Sequence, residues 1–97
     1  KAIRYYNLGV RYFPGHYGAW YNLGNIYVAY EDYYSALKNY ENALKIRPDY
    51  EVARIDYAII LSEVYRIDEA INEYKKIICV HLPQASVQLH FHKAFPR

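Results

Sequence analysis

No apolar run in this chain approaches the roughly 20 residues that a membrane-spanning helix needs. Its first residues also lack the charged, apolar and small-residue order of a secretion signal. Cysteine is all but missing: Cys79 stands alone, so no disulfide closes within the chain, and a reducing, cytoplasmic setting is expected. A surplus of one charge is missing too. A formal charge of +2 gives little pull toward phosphates or anionic lipid. Neither nucleic acid nor membrane is therefore an expected partner.

Metal-site spacings are absent as well. There is no CxxC and no HExxH. His81, His90 and His92 lie near Cys79 and would invite a zinc site. Residues two apart on a helix point in nearly opposite directions, so His90 and His92 cannot share an ion. Cys79 reads as a small apolar residue near a helix end. Lys75, Lys76, Glu69 and Glu73 read as a solvated helix face. No catalytic residue, metal or cofactor is expected, and the chain does not read as an enzyme.

What the chain has in plenty is tyrosine. Ninety-seven residues suit one small domain, and 54% of them are hydrophobic, counting fourteen tyrosines. Tyrosine hydroxyls need water or a hydrogen-bond partner, which suits a thin layered rod better than a thick globule. Trp20, Leu23, Gly24 and Tyr27 fall at i, i+3, i+4 and i+7, one stripe of a helix. After Glu31 and Asp32 a second stripe runs Tyr33, Ala36, Leu37, Tyr40, Ala43 and Leu44. Asp32 is placed to cap that second helix, and Pro48 to end it. Small Gly24, Ala36 and Ala43 beside bulky Trp20, Tyr27 and Tyr40 give the alternating sizes that an interlocking antiparallel pair needs.

The pattern W-x2-L-G-x2-Y, then A-x3-[F/Y]-x2-A, then P is carried by Trp20, Leu23, Gly24, Tyr27, Ala36, Tyr40, Ala43 and Pro48. It resembles the tetratricopeptide repeat. The resemblance implies an all-α fold, a solenoid of antiparallel helix hairpins with about six helices, forming a single domain over residues 1–97. The repeat length of thirty-four residues carries along the chain. Residues 1–16 match the second half of a repeat: Ala2 aligns with Ala36, Tyr6 with Tyr40, Gly9 with Ala43 and Pro14 with Pro48. Their face of Ala2, Ile3, Tyr6, Val10 and Phe13 would be half uncovered, which suggests a piece of a longer array or an end covered by another chain. Residues 17–50 form a full repeat, and residues 51–84 a second and less faithful one.

In that second repeat Asp49 is placed to cap the first helix, whose packed face is Ala53, Tyr57, Ala58, Leu61 and Val64. Arg54 stands where tryptophan does, and Ile77 replaces the small third residue of the second helix. Glu31 and Tyr65 occupy the turn position that often holds glycine, so the tight turns are expected to differ. Residues 85–97 read as a partial repeat or capping helix, with Val87, Phe91, Ala94 and Phe95 as its apolar face.

Stacked hairpins place their first helices on an inner, concave wall, where the family holds peptides. The positions between the packed ones are the candidate peptide-binding residues: Gly18, Tyr21, Asn22, Asn25, Val28 and Ala29, then Val52, Ile55, Asp56, Ile59, Ser62 and Glu63, then Ser86, Leu89, His90 and Lys93. Asn22, Asp56 and His90 recur at one repeat position as a polar row, beside an apolar row of Tyr21, Ile55 and Leu89. Amide and carboxylate groups suit a peptide backbone, and the apolar row suits its side chains. Trp20 and most tyrosines read as packing residues.

The two-carboxylate clamp of chaperone-binding relatives is not matched. Asn25 fits one clamp position, but Tyr21 stands for its lysine, Asp56 for the next asparagine, and Ser86 and His90 for the basic pair. Starting one repeat earlier, Asn22 fits, but Val52 and Asp56 replace the basic pair. The expected function is a non-catalytic scaffold that binds a protein or peptide partner. The alternatives are a self-assembling scaffold, a homo-oligomer through uncovered end helices, or the repeat domain of a larger enzyme or RNA-processing factor. Asp56 and Glu63 on the wall argue against tracking phosphates.

Overall fold

The computed structural model describes residues 2–81, and every regular element among them is an α-helix. These are α1 (Ala2–Tyr12), α2 (Tyr17–Ala29), α3 (Tyr33–Ile46), α4 (Glu51–Glu63) and α5 (Ile67–His81). They are five of the expected six; the sixth falls on residues 85–97, outside the described residues. None of the described helices is long and apolar enough to cross a membrane.

The boundaries follow from local chemistry. Asp32 caps α3 as expected, with Oδ1 accepting from the Ser35 amide at 3.2 Å and Oδ2 from the Ser35 hydroxyl at 2.8 Å. The Arg47 amide closes the end of α3 on the Ala43 carbonyl, and Pro48 then forbids another turn. The α2 cap comes from His16, whose Nδ1 accepts from the Ala19 amide at 3.1 Å. Asp49, by contrast, does not cap α4. Tyr50 holds that position without a side-chain bond, and Asp49 accepts from Arg47 Nε at 3.2 Å instead. The chain turns one residue later than Asp49 would need.

Nor do the two hairpin turns change course for want of glycine. Glu31 has φ 60° and Tyr65 has φ 64°, both left-handed. In each turn the next two amides reach back alike: Glu31 to the Val28 carbonyl and Asp32 to Tyr27, then Tyr65 to Ser62 and Arg66 to Leu61. That is the paired closure of a Schellman motif, formed here without glycine.

Each helix packs on its neighbour in order, α1 on α2, α2 on α3, α3 on α4 and α4 on α5. The described residues form a body of 50 × 25 × 14 Å, thin enough for tyrosine hydroxyls to reach water or each other. Ala36, Leu37, Tyr40, Ile60, Leu61 and Ala70 form one buried cluster, and Val10, Ala19 and Leu23 a second. Gly24 lets the Tyr40 ring approach its α-carbon, as the alternation of sizes requires. The α4 face is as read, with Ala53, Ala58 and Leu61 fully buried.

Two side chains are not as read. Phe13 is 69% exposed rather than part of the α1 packing face; it stands just past the last residue of α1. Glu73, placed on a solvated face by its charge, is buried and accepts from Arg54 and from Lys76 Nζ at 3.1 Å. Arg54 supplies the charge that lets a carboxylate lie there.

Candidate peptide-binding face

The first helices of the two repeats, α2 and α4, are tied together by side chains. Tyr21 donates its hydroxyl to Asp56 Oδ2 at 2.6 Å, across thirty-five residues of sequence. Asn25 Oδ1 accepts from the Tyr40 hydroxyl of α3, and the Tyr40 ring lies 5.9 Å from that of Tyr21 between centroids. The two bonds, Tyr40 to Asn25 and Tyr21 to Asp56, therefore link three helices and both repeats. Burial first, and then the Asp56 carboxylate, push the Tyr21 hydroxyl above its ordinary range. Burial pushes Tyr40 up further, with the negative field of Asp56 behind it. Both stay protonated, so Tyr21 remains a donor to Asp56.

Beside these bonds is an aromatic group. Tyr50 meets Tyr17 edge-on at 4.9 Å and Tyr21 at 5.3 Å between ring centroids. The Arg47 guanidinium lies over Tyr17 at 5.0 Å and over Tyr50 at 5.4 Å, and donates to the Tyr17 hydroxyl at 2.7 Å. Sequence reasoning missed Tyr17 and Tyr50. Tyr17 was open to detection, because it sits four residues before Tyr21 on the same stripe. Arg47 left no periodic signal, since it lies beyond the helix end.

Of the expected residues, then, Tyr21, Asn25 and Asp56 come together, but as partners of one another. Asn22 is exposed, while Asp56 is half-buried and accepts from Tyr21. Val28 is half-buried against the main core cluster, and the Ser62 hydroxyl donates to the Ile59 carbonyl at 2.8 Å. Val52, Ile55, Ile59 and Glu63 are exposed along α4. Gly18 is half-buried and Ala29 exposed on α2. Ser86, Leu89, His90 and Lys93 lie outside the described residues. His90 and His92 do as well. Among the described residues no three His, Cys, Asp or Glu side chains gather as a metal site.

The opposite side of the rod offers a shallow groove lined by Glu41, Arg54, Tyr57, Glu73 and Lys76 among others. Its polar groups already bond one another: Tyr57 donates to Glu41 at 2.8 Å, and Arg54 and Lys76 both reach Glu73. Little is left there for a ligand. The α2–α4 face differs in that its aliphatic side chains stand open beside a fixed polar platform.

Residues 17–50 match the family model described as the tetratricopeptide repeat. The chain is also similar to a UDP-N-acetylglucosamine–peptide N-acetylglucosaminyltransferase of Giardia intestinalis, with 32% identity over 68 residues. That similarity covers 70% of this chain and 5% of the transferase, so the chain spans a small part of that relative's length.

Proposed function

We propose, from the premise that this chain is a tetratricopeptide repeat protein, that the shared face of α2 and α4 is a non-catalytic docking surface for a segment of a partner protein, an extended peptide or a helix. One observation carries the reading. The α4 helix is apolar on two faces: Ala53, Ala58 and Leu61 are fully buried, while Val52, Ile55 and Ile59 are 49%, 38% and 41% exposed. A helix with one buried face needs only polar residues on the other. Three aliphatic side chains left in water on one stripe favour a surface that another molecule covers. The bond from Tyr21 to Asp56 holds α2 and α4 in register, so the surface is preorganised.

The experiment is a peptide selection against the folded chain, followed by binding to Ile55→Glu combined with Ile59→Glu. Selected peptides should lose about tenfold or more in affinity, on the order of 1.4 kcal/mol. Helicity should be unchanged, since both side chains are already in water. Equal binding to the variant would remove the face from consideration.

The similarity to the Giardia transferase favours a second reading, in which the repeats are one region of a larger enzyme. The name of that relative gives a peptide as its acceptor. In that setting the same face would present a peptide to a catalytic region elsewhere in the longer protein. Assay of the full-length protein for transfer of N-acetylglucosamine to peptide tests it.

A further inference from the structure

Charge is divided between the two kinds of helix in this rod. The described helical lysines all lie on the second helices, Lys38 and Lys45 on α3 and Lys75 and Lys76 on α5, and α1 adds Arg4 and Arg11. On the first helices α2 has no charged residue at all, and α4 has one cation, Arg54. Arg54 is turned away from the α2–α4 face, with its guanidinium donating to Glu73 and, at 2.6 Å, to the Pro48 carbonyl. Arg47, beside the face, is stacked on Tyr17 and Tyr50 and paired with Asp49 at 3.2 Å. The charges that remain on the stripe are the carboxylates of Asp56 and Glu63.

Those two acids are seven residues apart on α4, hence on one side of it and about 10 Å apart along its axis. Ile59 lies between them, with Ile55 and Val52 at the Asp56 end. Asp56 is anchored by Tyr21 through Oδ2, which fixes the carboxylate in place without neutralising it. Glu63 is exposed. The stripe therefore reads acid, aliphatic, acid.

Resting on the reading of this face as a docking surface, we infer that its occupant is a cationic–apolar peptide. Two Lys or Arg side chains about 10 Å apart meet Asp56 and Glu63, and aliphatic side chains between them cover Ile55 and Ile59. Opposite charges at the rim steer and orient such a segment, while a segment carrying carboxylates there meets like charge.

The test uses three synthetic peptides of one length with the same leucines, bearing lysine, glutamine or glutamate at the intervening positions. Fluorescence anisotropy with the whole 97-residue chain reads their binding. The lysine peptide should bind about tenfold tighter than the glutamine peptide, and the glutamate peptide most weakly. Added salt should narrow the gap. Asp56→Asn with Glu63→Gln should bring the lysine peptide to the glutamine level. Glu63→Gln alone, at an exposed side chain that folding does not use, should take part of that effect. Equal binding of the lysine and glutamine peptides would overturn the inference and leave the docking face standing. Tightest binding of the glutamate peptide would do the same. Binding of none of the three would sink both.

Discussion

A methyl group on Gly24 would lie 2.6 Å from Cε1 and 2.7 Å from Cδ1 of Tyr40. The ring has nowhere to go, being 1% exposed and held by its hydroxyl to Asn25. Gly24→Ala should therefore destabilise the chain by about 1–3 kcal/mol in urea unfolding. The counterpart in the next repeat is already alanine, Ala58, and the tyrosine of that repeat, Tyr74, is 39% exposed rather than locked. The turns give the opposite sign. Tyr65 is 86% exposed with φ 64°, so it contributes little contact while its Cβ strains a left-handed backbone. Tyr65→Gly should stabilise by about 1 kcal/mol, and a midpoint that falls instead would contradict the Schellman geometry.

Protonation adds a residue-scale prediction of its own. Burial raises Tyr40, and burial with the Glu41 carboxylate raises Tyr57, both from an ordinary value of 10.0. An unfolded tyrosine gives up its proton near pH 10 while these hold theirs, so the unfolded chain binds fewer protons there. Stability is then fully present below pH 10 and falls as pH rises above it. Thermal midpoints should be flat below that point and drop beyond it, and Tyr57→Phe should soften the drop.

Between elements, the informative comparison is between Trp20 and Arg54. Trp20 Nε1 donates to the Pro14 carbonyl at 2.8 Å, and Arg54 Nη2 donates to the Pro48 carbonyl at 2.6 Å. Each bond crosses six residues, and the two sets are thirty-four apart. Arginine thus keeps the tether of the preceding loop that tryptophan makes, and adds the bond to Glu73, which stands where the first repeat has Asn39. Arg54→Ala should destabilise by about 3 kcal/mol, because a buried carboxylate loses its main partner. Arg54→Trp combined with Glu73→Asn restores the first repeat's pair and should recover most of that loss.

The helix pairs were legible in advance because packing leaves a period. Gly24, Ala36, Tyr40 and Ala43 showed the interlocking, and Asp32 showed a cap, since each acts within a few residues of its own position. The buried role of Glu73 was not legible, because a carboxylate looks solvated until its partner is known, and Arg54 is nineteen residues away. The failure of Asp49 as a cap came from a shift of one residue, which no composition rule resolves.

Across the whole molecule, the candidate face was legible as a set of positions but not as a set of bonds. Ile55 and Ile59 were found by exclusion from the packed stripe. That Asp56 belongs to Tyr21 follows only from how one repeat leans on the next. The face of α1 turned to water is a second whole-molecule feature: Tyr5, Leu8 and Tyr12 are 75%, 42% and 73% exposed along one stripe. If copies of this chain cover that stripe, light scattering should show mass rising with concentration, and Leu8→Lys should suppress the rise. A constant monomer mass would exclude self-assembly through α1.

Amide chemical shifts of the labelled chain, titrated with the lysine-bearing peptide, test the central claim most directly. The account predicts that the largest changes fall on Asn22, Val52, Ile55, Ile59 and Glu63, with α3 and α5 nearly still. Changes concentrated around Glu41, Lys45 and Lys76 on the opposite side would contradict it.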